Sequence, residues 1–350
     1  MAKHFQQSTF WAQFKCAHGW THITHNNVSV LVRTFRLGFL HVSLAYIPFA
    51  PVPDTRIPTP KAGKDIAYIK QLDYFTEELK FLLPKRTLCV RYDLPLDFAT
   101  VAERDAYNSS VSDMAVVAHV NIKKSRVDVQ PPDSVLLDLV QPTEGILANM
   151  KSKWRYNVRY AQKHGVIVRA IKADSPDFEK DLDSFYALYK TTASRDGIGI
   201  HPLSYYKDLL ERGVGSAGET EITLYIASHE GEDLAAIITL FGGEEAVYLY
   251  GCSSNNKRNL MPNYLVQWTA IQDAKQFGCK VYDFYGIPPT DAPNHPMHGL
   301  YLFKTGWGGS EIHRPGSFDI PLSPLYALYI LAEKVRAFWF KRVQKKLRGR

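Results

Sequence analysis

Several absences narrow this 350-residue chain before any motif is read. No stretch approaches the ~18 uninterrupted apolar residues that cross a bilayer, so no spanning helix is expected. The opening MAKHFQQSTFW has no basic region followed by an apolar one, so a secretory leader is not expected and a cytoplasmic location is. Cysteine is scarce: Cys16, Cys89, Cys252 and Cys279 are far apart and form no C-x-x-C pair. That argues against a disulfide framework and for free, mostly buried thiols. There is no G-x-S-x-G elbow and no G-x-x-x-x-G-K-[ST] loop. Cys16, His18, His22 and His25 crowd together, as do His295 and His298, but neither set closes a ligand count at a metal spacing, so no metal is expected. Low-complexity tracts and short-period repeats are also missing.

What is present describes a globular protein. Hydrophobic residues make up 45% and charged residues 22%, enough to bury a sizeable core over one large or two ordinary domains. The net charge of +7 is confined to one place. From Glu333 to Arg350 there are eight basic residues and one acid, so this segment alone carries +7, and the remainder balances. The basic character therefore belongs to a tail that meets something anionic, not to the body.

Along the chain, Phe10, Trp11, Phe14 and Ala17 predict a helix ending at Gly19. Strands are predicted at 28–32 and 39–44, a proline-rich loop at 48–60, a helix over 66–83 and a strand at 87–92. Further strands are expected at 116–120 and 135–139. The order then repeats. A basic helix over 143–165 precedes a strand at 166–171, helices over 178–193 and 203–211, three strands between 223 and 250, a helix over 262–277 and a strand at 280–284. Two such rounds predict two related α/β halves, each a mixed sheet covered by helices.

Three constellations could carry chemistry. In YLYGCSSNNKRNLMPNYL, alternation places Tyr248 and Tyr250 on one strand face. The loop then enters a helix near Pro262, where backbone N–H groups can hold an anion; an ordinary strand-turn-helix with packing tyrosines explains it equally well. In YDFYGIPPTDAPNHPMHGLYLFKTGWGG, a proline-rich loop leads into an aromatic segment, read as a strand, that bears Lys304. Its charge could stabilise a developing oxyanion or hold a phosphate, or its stem could simply lie along an apolar edge. In MKSKWRYNVRYAQKHGV, Lys151, Lys153, Arg155, Arg159 and Lys163 spread around a helix, as a phosphate contact or a solvated face. RDGIG at 195–199 has the wrong spacing for a coenzyme A pyrophosphate loop.

Together these stretches resemble the Fem family of peptidoglycan-bridge aminoacyltransferases. FQQSTFWAQFKCAHGW, LLDLVQPTEGILANMKSKWRYNVRYAQKHGV, FYALYKTTASRDG, YLYGCSS and HGLYLFKTGWGG resemble the family's blocks in the family's order. The resemblance implies two tandem domains similar to the GNAT acyltransferase fold, one of 1–145 plus 318–350 and one of 146–317, in the compact form without a helical-hairpin insertion. It implies transfer of an amino acid, with glycine as the guess, or alanine or serine, from aminoacyl-tRNA to the stem-peptide amine of lipid II or its soluble nucleotide precursor. No coenzyme A and no metal would be needed. By the same resemblance Lys304 would neutralise charge near the ester or the precursor phosphates, and Asp93 of VRYDLP could accept a proton. Tyr205, Tyr248, Tyr250 and Phe303 would line the precursor groove. Arg33 or Arg36 would meet the pyrophosphate, and His201 stands where the family has an arginine. Lys153, Arg155 and Arg159 are the candidates for tRNA contact.

The tail carries a separate expectation. Leu325, Leu328, Ala332, Val335, Trp339, Val343 and Leu347 form one apolar stripe beside the basic residues, which reads as an amphipathic helix on an anionic inner-leaflet surface. The alternative packs the stripe on the body and turns the basic face to tRNA. Two other functions stay open: an acyl-CoA-dependent N-acyltransferase, and a tRNA-dependent transferase acting on protein N-termini. A monomer is expected.

Overall fold

A computed structural model describes residues 4–53, 66–214 and 220–339. Part of the proline-rich loop, and Val343, Leu347 and the basic residues beyond 340, lie outside the described residues. In chain order the elements are α1 (Thr9–Ala17), β1 (Thr21–His25), β2 (Val28–Leu37), β3 (Leu40–Pro48), α2 (Ile66–Leu79), β4 (Thr87–Asp93), α3 (Val101–Ala118) and β5 (Lys123–Lys124). Next come β6 (Asp133–Asp138), α4 (Thr143–Asn149), α5 (Ser152–Lys163), β7 (Ile167–Ile171), α6 (Phe178–Asp196), α7 (Leu203–Val214), β8 (Thr220–His229), β9 (Glu232–Gly242) and β10 (Glu245–Ser253). The chain continues with α8 (Pro262–Phe277), β11 (Val281–Asp283), α9 (His298–Thr305), β12 (Ser310–His313), β13 (Ser317–Pro321) and α10 (Tyr326–Phe338).

These elements form two compact units, one of Gln6–Pro132 with His313–Arg350, the other of Asp133–Ile312 with the first five residues. The first, split in sequence, holds a six-stranded sheet in the order β1-β2-β3-β4-β13-β5; the second, continuous unit holds a seven-stranded sheet ordered β12-β6-β11-β10-β9-β8-β7. Each sheet is mixed. Its parallel pair is joined through a helix, β3–α2–β4 in one and β10–α8–β11 in the other. The division falls at 132/133 and 312/313 instead of 145/146 and 317/318. β6 accounts for the first shift, since it pairs antiparallel with β11 and so belongs to the second sheet. Among the described residues no helix is long and apolar enough to cross a membrane.

Local chemistry explains most elements and corrects three expectations. Ser8 caps α1 by accepting from the Trp11 N–H at 3.1 Å, and Phe10, Trp11 and Phe14 turn inward. The strand expected at 116–120 is the end of α3. A capping box between Thr100 and Glu103 starts that helix, and Tyr107, Val111, Met114, Ala115 and Ala118 recur on its buried side. Helical burial overrides the β preference of Val116 and Val117, which point outward. The single basic helix is two, because Met150 is extended and breaks it into α4 and α5. The aromatic segment bearing Lys304 is helical, not extended.

α10 is held on its sheet by a buried network. Arg91 of β4 donates to both Asp319 oxygens, at 2.7 and 2.9 Å. Tyr326 donates to Asp319 at 2.9 Å, Arg91 pairs with Glu333 at 3.5 Å, and Tyr329 donates to Glu333. With Tyr326 and Glu333 turned inward, Leu328, Leu331, Val335 and Trp339 face outward, between 49% and 61% exposed. Leu325 and Ala332, expected on that stripe, are half-buried.

Candidate functional site

The continuous unit has a notch where its sheet splits. β10 and β11 pair only from Glu245↔Val281 to Val247↔Asp283. Beyond that, β10 runs on to Ser253 beside β9 alone, while the chain after β11 turns away through Tyr285 and Gly286, both at positive φ. A non-glycine residue in that conformation is uncommon and costs free energy, so Tyr285 marks a backbone held by its surroundings. Its N–H donates to the Asp283 carboxylate at 2.7 Å, and Ser134 donates to the same oxygen.

α9 brings Lys304 into the notch. The side chain is 5% exposed. Its ammonium donates to the Tyr285 carbonyl and to the Gly286 carbonyl at 3.0 Å, and lies 5.1 Å from the Tyr248 ring centroid. Burial pulls its pKa down to about 7, and the Asp283 charge opposes that fall. Lys304 therefore changes charge near neutrality instead of staying a permanent cation. Its neighbour Phe303 is half-buried. The Phe303 ring packs edge-on to Tyr264 and Trp307, and its carbonyl accepts from the Trp154 indole at 2.9 Å. The glycine after Thr305 has a steric cause: a Cβ on Gly306 would stand 2.2 Å from the Trp154 ring.

Tyr248 and Tyr250 do not share a face. The β9–β10 register shifts between them, Tyr248 facing Thr239 and Tyr250 facing Ile238, so one residue is inserted and parity inverts. Tyr248 lies on the side of α8 and Lys304, and a Cβ on Gly251 would meet its hydroxyl at 1.8 Å. Tyr250 lies on the other side, 5.1 Å from the Tyr206 ring and 6.3 Å from Tyr189. It shares a hydrogen bond with Tyr205, whose ring stacks on His201 at 3.9 Å. Burial raises the phenol pKa of Tyr248, Tyr250 and Tyr205. The expected groove residues thus form two clusters around one bulged strand, Lys304–Tyr248 and His201–Tyr205–Tyr250.

The split unit contains the other candidates. Asp93 ends β4 and is buried. Burial raises its carboxyl to about 6, while hydrogen bonds from Ser317 and Tyr46 hold it from rising further. Gln130 donates to the Tyr46 oxygen at 3.1 Å. Asp93, Phe49, Gln130 and Arg314 line a small crevice, with the Arg314 guanidinium 4.9 Å from the Phe49 ring. Arg33 donates to the His18 carbonyl at 2.7 Å and stands 5.6 Å from the Trp20 ring, which Lys15 approaches at 5.5 Å. Arg36 is exposed, and regular pairing with β3 puts it on the opposite face from Arg33.

On α5, Lys153 and Arg159 are exposed, but Arg155 has a structural task. It donates to the carbonyls of Leu147, Ala148 and Met150 at 3.1, 2.9 and 2.5 Å, tying down the end of α4. The Nη1 of this tRNA-contact candidate is thus engaged as a helix cap. Reading the sequence missed Lys15, Tyr46, Gln130 and Ser317, which are remote from their partners along the chain. Asp283 lay within a recognised block, and Asp followed by Phe-Tyr-Gly was the one available sign of a turn there.

The FemAB family model matches residues 1–213 and 218–334. The lipid II:glycine glycyltransferase of Staphylococcus haemolyticus (strain JCSC1435) is 33% identical over 134 residues, 37% of this chain and 32% of the relative. That of Staphylococcus aureus (strain USA300) is 37% identical over 100 residues, 28% of this chain and 24% of the relative. The matched stretch thus spans a third or less of the length of these curated relatives. Among solved structures, the crystal structure of FemX superposes with a TM-score of 0.72 at 19% identity, covering 93% of this chain and 94% of the other. The C-terminal domain of a putative lysylphosphatidylglycerol synthetase from Agrobacterium fabrum reaches 0.54 at 11% identity, covering 94% and 93%. Both likenesses concern the fold.

Proposed function

This chain belongs to the FemAB family, and from that premise we propose that it transfers an amino acid, glycine in the first instance, from aminoacyl-tRNA to the stem-peptide amine of lipid II or its nucleotide-linked precursor. The reaction is ester aminolysis. The amine nitrogen attacks the aminoacyl carbonyl and forms the C–N bond. The C–O bond to the 3′-terminal ribose breaks, and the proton lost by the amine ends on the released ribose hydroxyl. Such a reaction depends on positioning and on charge placed where the oxyanion develops.

The observation that carries the reading is Lys304 at the split of the sheet. A side chain held by two carbonyls and an aromatic face keeps its position, and in the protonated form it offers a fixed charge to the tetrahedral oxyanion or to precursor phosphates. Tyr248 orients it, and Tyr205, Tyr250 and His201 line the precursor side. Within its own unit Asp93 is a second group able to hold a proton near neutrality, and Arg33, with Lys15 beside it, suits a pyrophosphate. No coenzyme A and no metal enters the proposal.

The outward stripe of α10 supports a place on the membrane where lipid II resides. The stripe is not packed on the body, and the sequence beyond it is rich in lysine and arginine, as suits an anionic leaflet.

The test is incubation of the purified chain with glycyl-, alanyl- or seryl-tRNA and lipid II, with chelator present and coenzyme A absent, followed by the mass of the product. Addition of one residue is expected, and Lys304→Ala should lose at least about 100-fold in turnover. Modification of peptide N-termini but not of lipid II, or dependence on an acyl-CoA, would remove the proposal.

A further inference from the structure

Helix α5 carries a face that the packing of its unit leaves unused. Trp154, Asn157, Val158 and Ala161 are its buried side. At about 3.6 residues per turn, Tyr156, Arg159, Tyr160 and Lys163 fall away from that side, with Lys153 and His164 at the edge of the same exposed arc.

Three observations set this face apart from an ordinary solvated helix. The helix contains no acidic residue from Ser152 to Lys163, whereas exposed helices usually interleave charges of both signs. Lys153, Arg159 and Lys163 are all exposed, and none is in an ion pair among the described residues. Aromatic rings run between them: Tyr156 is 61% exposed, its ring lies 5.7 Å from Tyr160, and Tyr160 stacks on His164 at 3.8 Å.

The start of α5 abuts the Lys304 segment. The Trp154 indole donates to the Phe303 carbonyl at 2.9 Å, and the Lys151 N–H donates to the Gly306 carbonyl at 2.9 Å. From Lys153 to Lys163 the face then runs about 15 Å away from that contact.

We infer that this face is an RNA-binding platform. Tyr156, backed by the Tyr160–His164 stack, receives an unpaired base of the 3′ end, and Lys153, Arg159 and Lys163 hold phosphates on the path leading away from Lys304. Exposed aromatics among unpaired cations fit single-stranded nucleic acid, whose bases stack while its backbone is neutralised. A lipid surface would call for aliphatic side chains on the same side, and the six residues include none. Arg155 is left out of the platform, because its Nη1 is engaged by the carbonyls at the end of α4. The inference rests on the reading of aminoacyl-tRNA as donor.

The probe is a 5′-fluorescein acceptor-stem RNA hairpin ending in single-stranded NCCA, with a blunt-ended hairpin as its pair, titrated by anisotropy from 50 to 200 mM salt. For the full chain, Lys153→Ala/Arg159→Ala/Lys163→Ala should weaken binding of both hairpins at least tenfold and flatten the salt slope by about 2 to 3. Tyr156→Ala should weaken the NCCA hairpin about tenfold and leave the blunt one unchanged. Both variants should melt with the wild type, since the replaced side chains are exposed. Wild-type binding and transfer with undiminished affinity in the variants would overturn this inference alone. So would a triple variant that loses binding to phosphatidylglycerol vesicles while keeping RNA. A wild type that neither binds RNA nor transfers from tRNA overturns the donor reading as well.

Discussion

With two carbonyls and a phenol ring as its neighbours, the Lys304 ammonium is stable only to the extent that they replace water. The group titrates near 7 in the folded chain, against 10.5 when unfolded. Between those values the unfolded chain binds more protons, so stability rises with pH across about 7 to 10, and below 7 the whole burial cost is present. Lys304→Met removes that cost. The variant should gain on the wild type by an amount on the order of 5 kcal/mol at pH 6.5, shrinking toward zero by about pH 10, as followed by urea unfolding at several pH values. A constant difference across that range would place the amine in water. Asp93 acts with the opposite sign: its raised carboxyl weakens the fold as pH rises from about 4 through 6. Neither shift was visible in the sequence, because burial and the Tyr285, Ser317 and Tyr46 partners come from other segments.

At the scale of elements, close packing explains residues that the motifs only marked. Gly306 is required where α9 ends, since the Trp154 ring occupies the place of a Cβ. Gly306→Ala should cost roughly 1–3 kcal/mol in denaturant melts through overpacking at that contact. Arg155→Ala should cost a similar amount by freeing three carbonyls at the end of α4, all of them held by the one Nη1. An unchanged midpoint for Arg155→Ala would return that arginine to the list of surface cations. The bulge in β10 shows where pattern reading fails. Tyr-Leu-Tyr reads as plain alternation, and the inserted residue is set by pairing with β9. The helix at 298–305 was hidden for a related reason: its aromatic residues suit a strand until Tyr264, Trp154 and Trp307 pack around them.

At the scale of the whole molecule, the split unit carries the docked helix α10 with an apolar face turned to solvent. Binding to vesicles of one-third phosphatidylglycerol should fall at least tenfold in Leu328→Ser/Leu331→Ser/Val335→Ser, whereas transfer to a soluble nucleotide precursor should stay within twofold. Equal sedimentation of the variant with vesicles would assign the face to another partner. Arg91 and Asp319 keep that face outward, because Tyr326 and Glu333 are drawn inward to them.

Periodicity was enough to establish two mixed α/β halves, because buried faces repeat at the spacing of the element that carries them, and the resemblance of the ordered blocks pointed to the family. The basic tail was legible for the same reason, charge being a property of residues counted in line. Which strands share a sheet was not. β6 joins the second sheet and β13 the first because distant strands supply their hydrogen bonds. The protonation of Lys304 and Asp93, the parting of Tyr248 from Tyr250 and the capping role of Arg155 were likewise decided only by folding. Each depends on groups remote in sequence that displace water and determine which charges and hydrogen bonds survive.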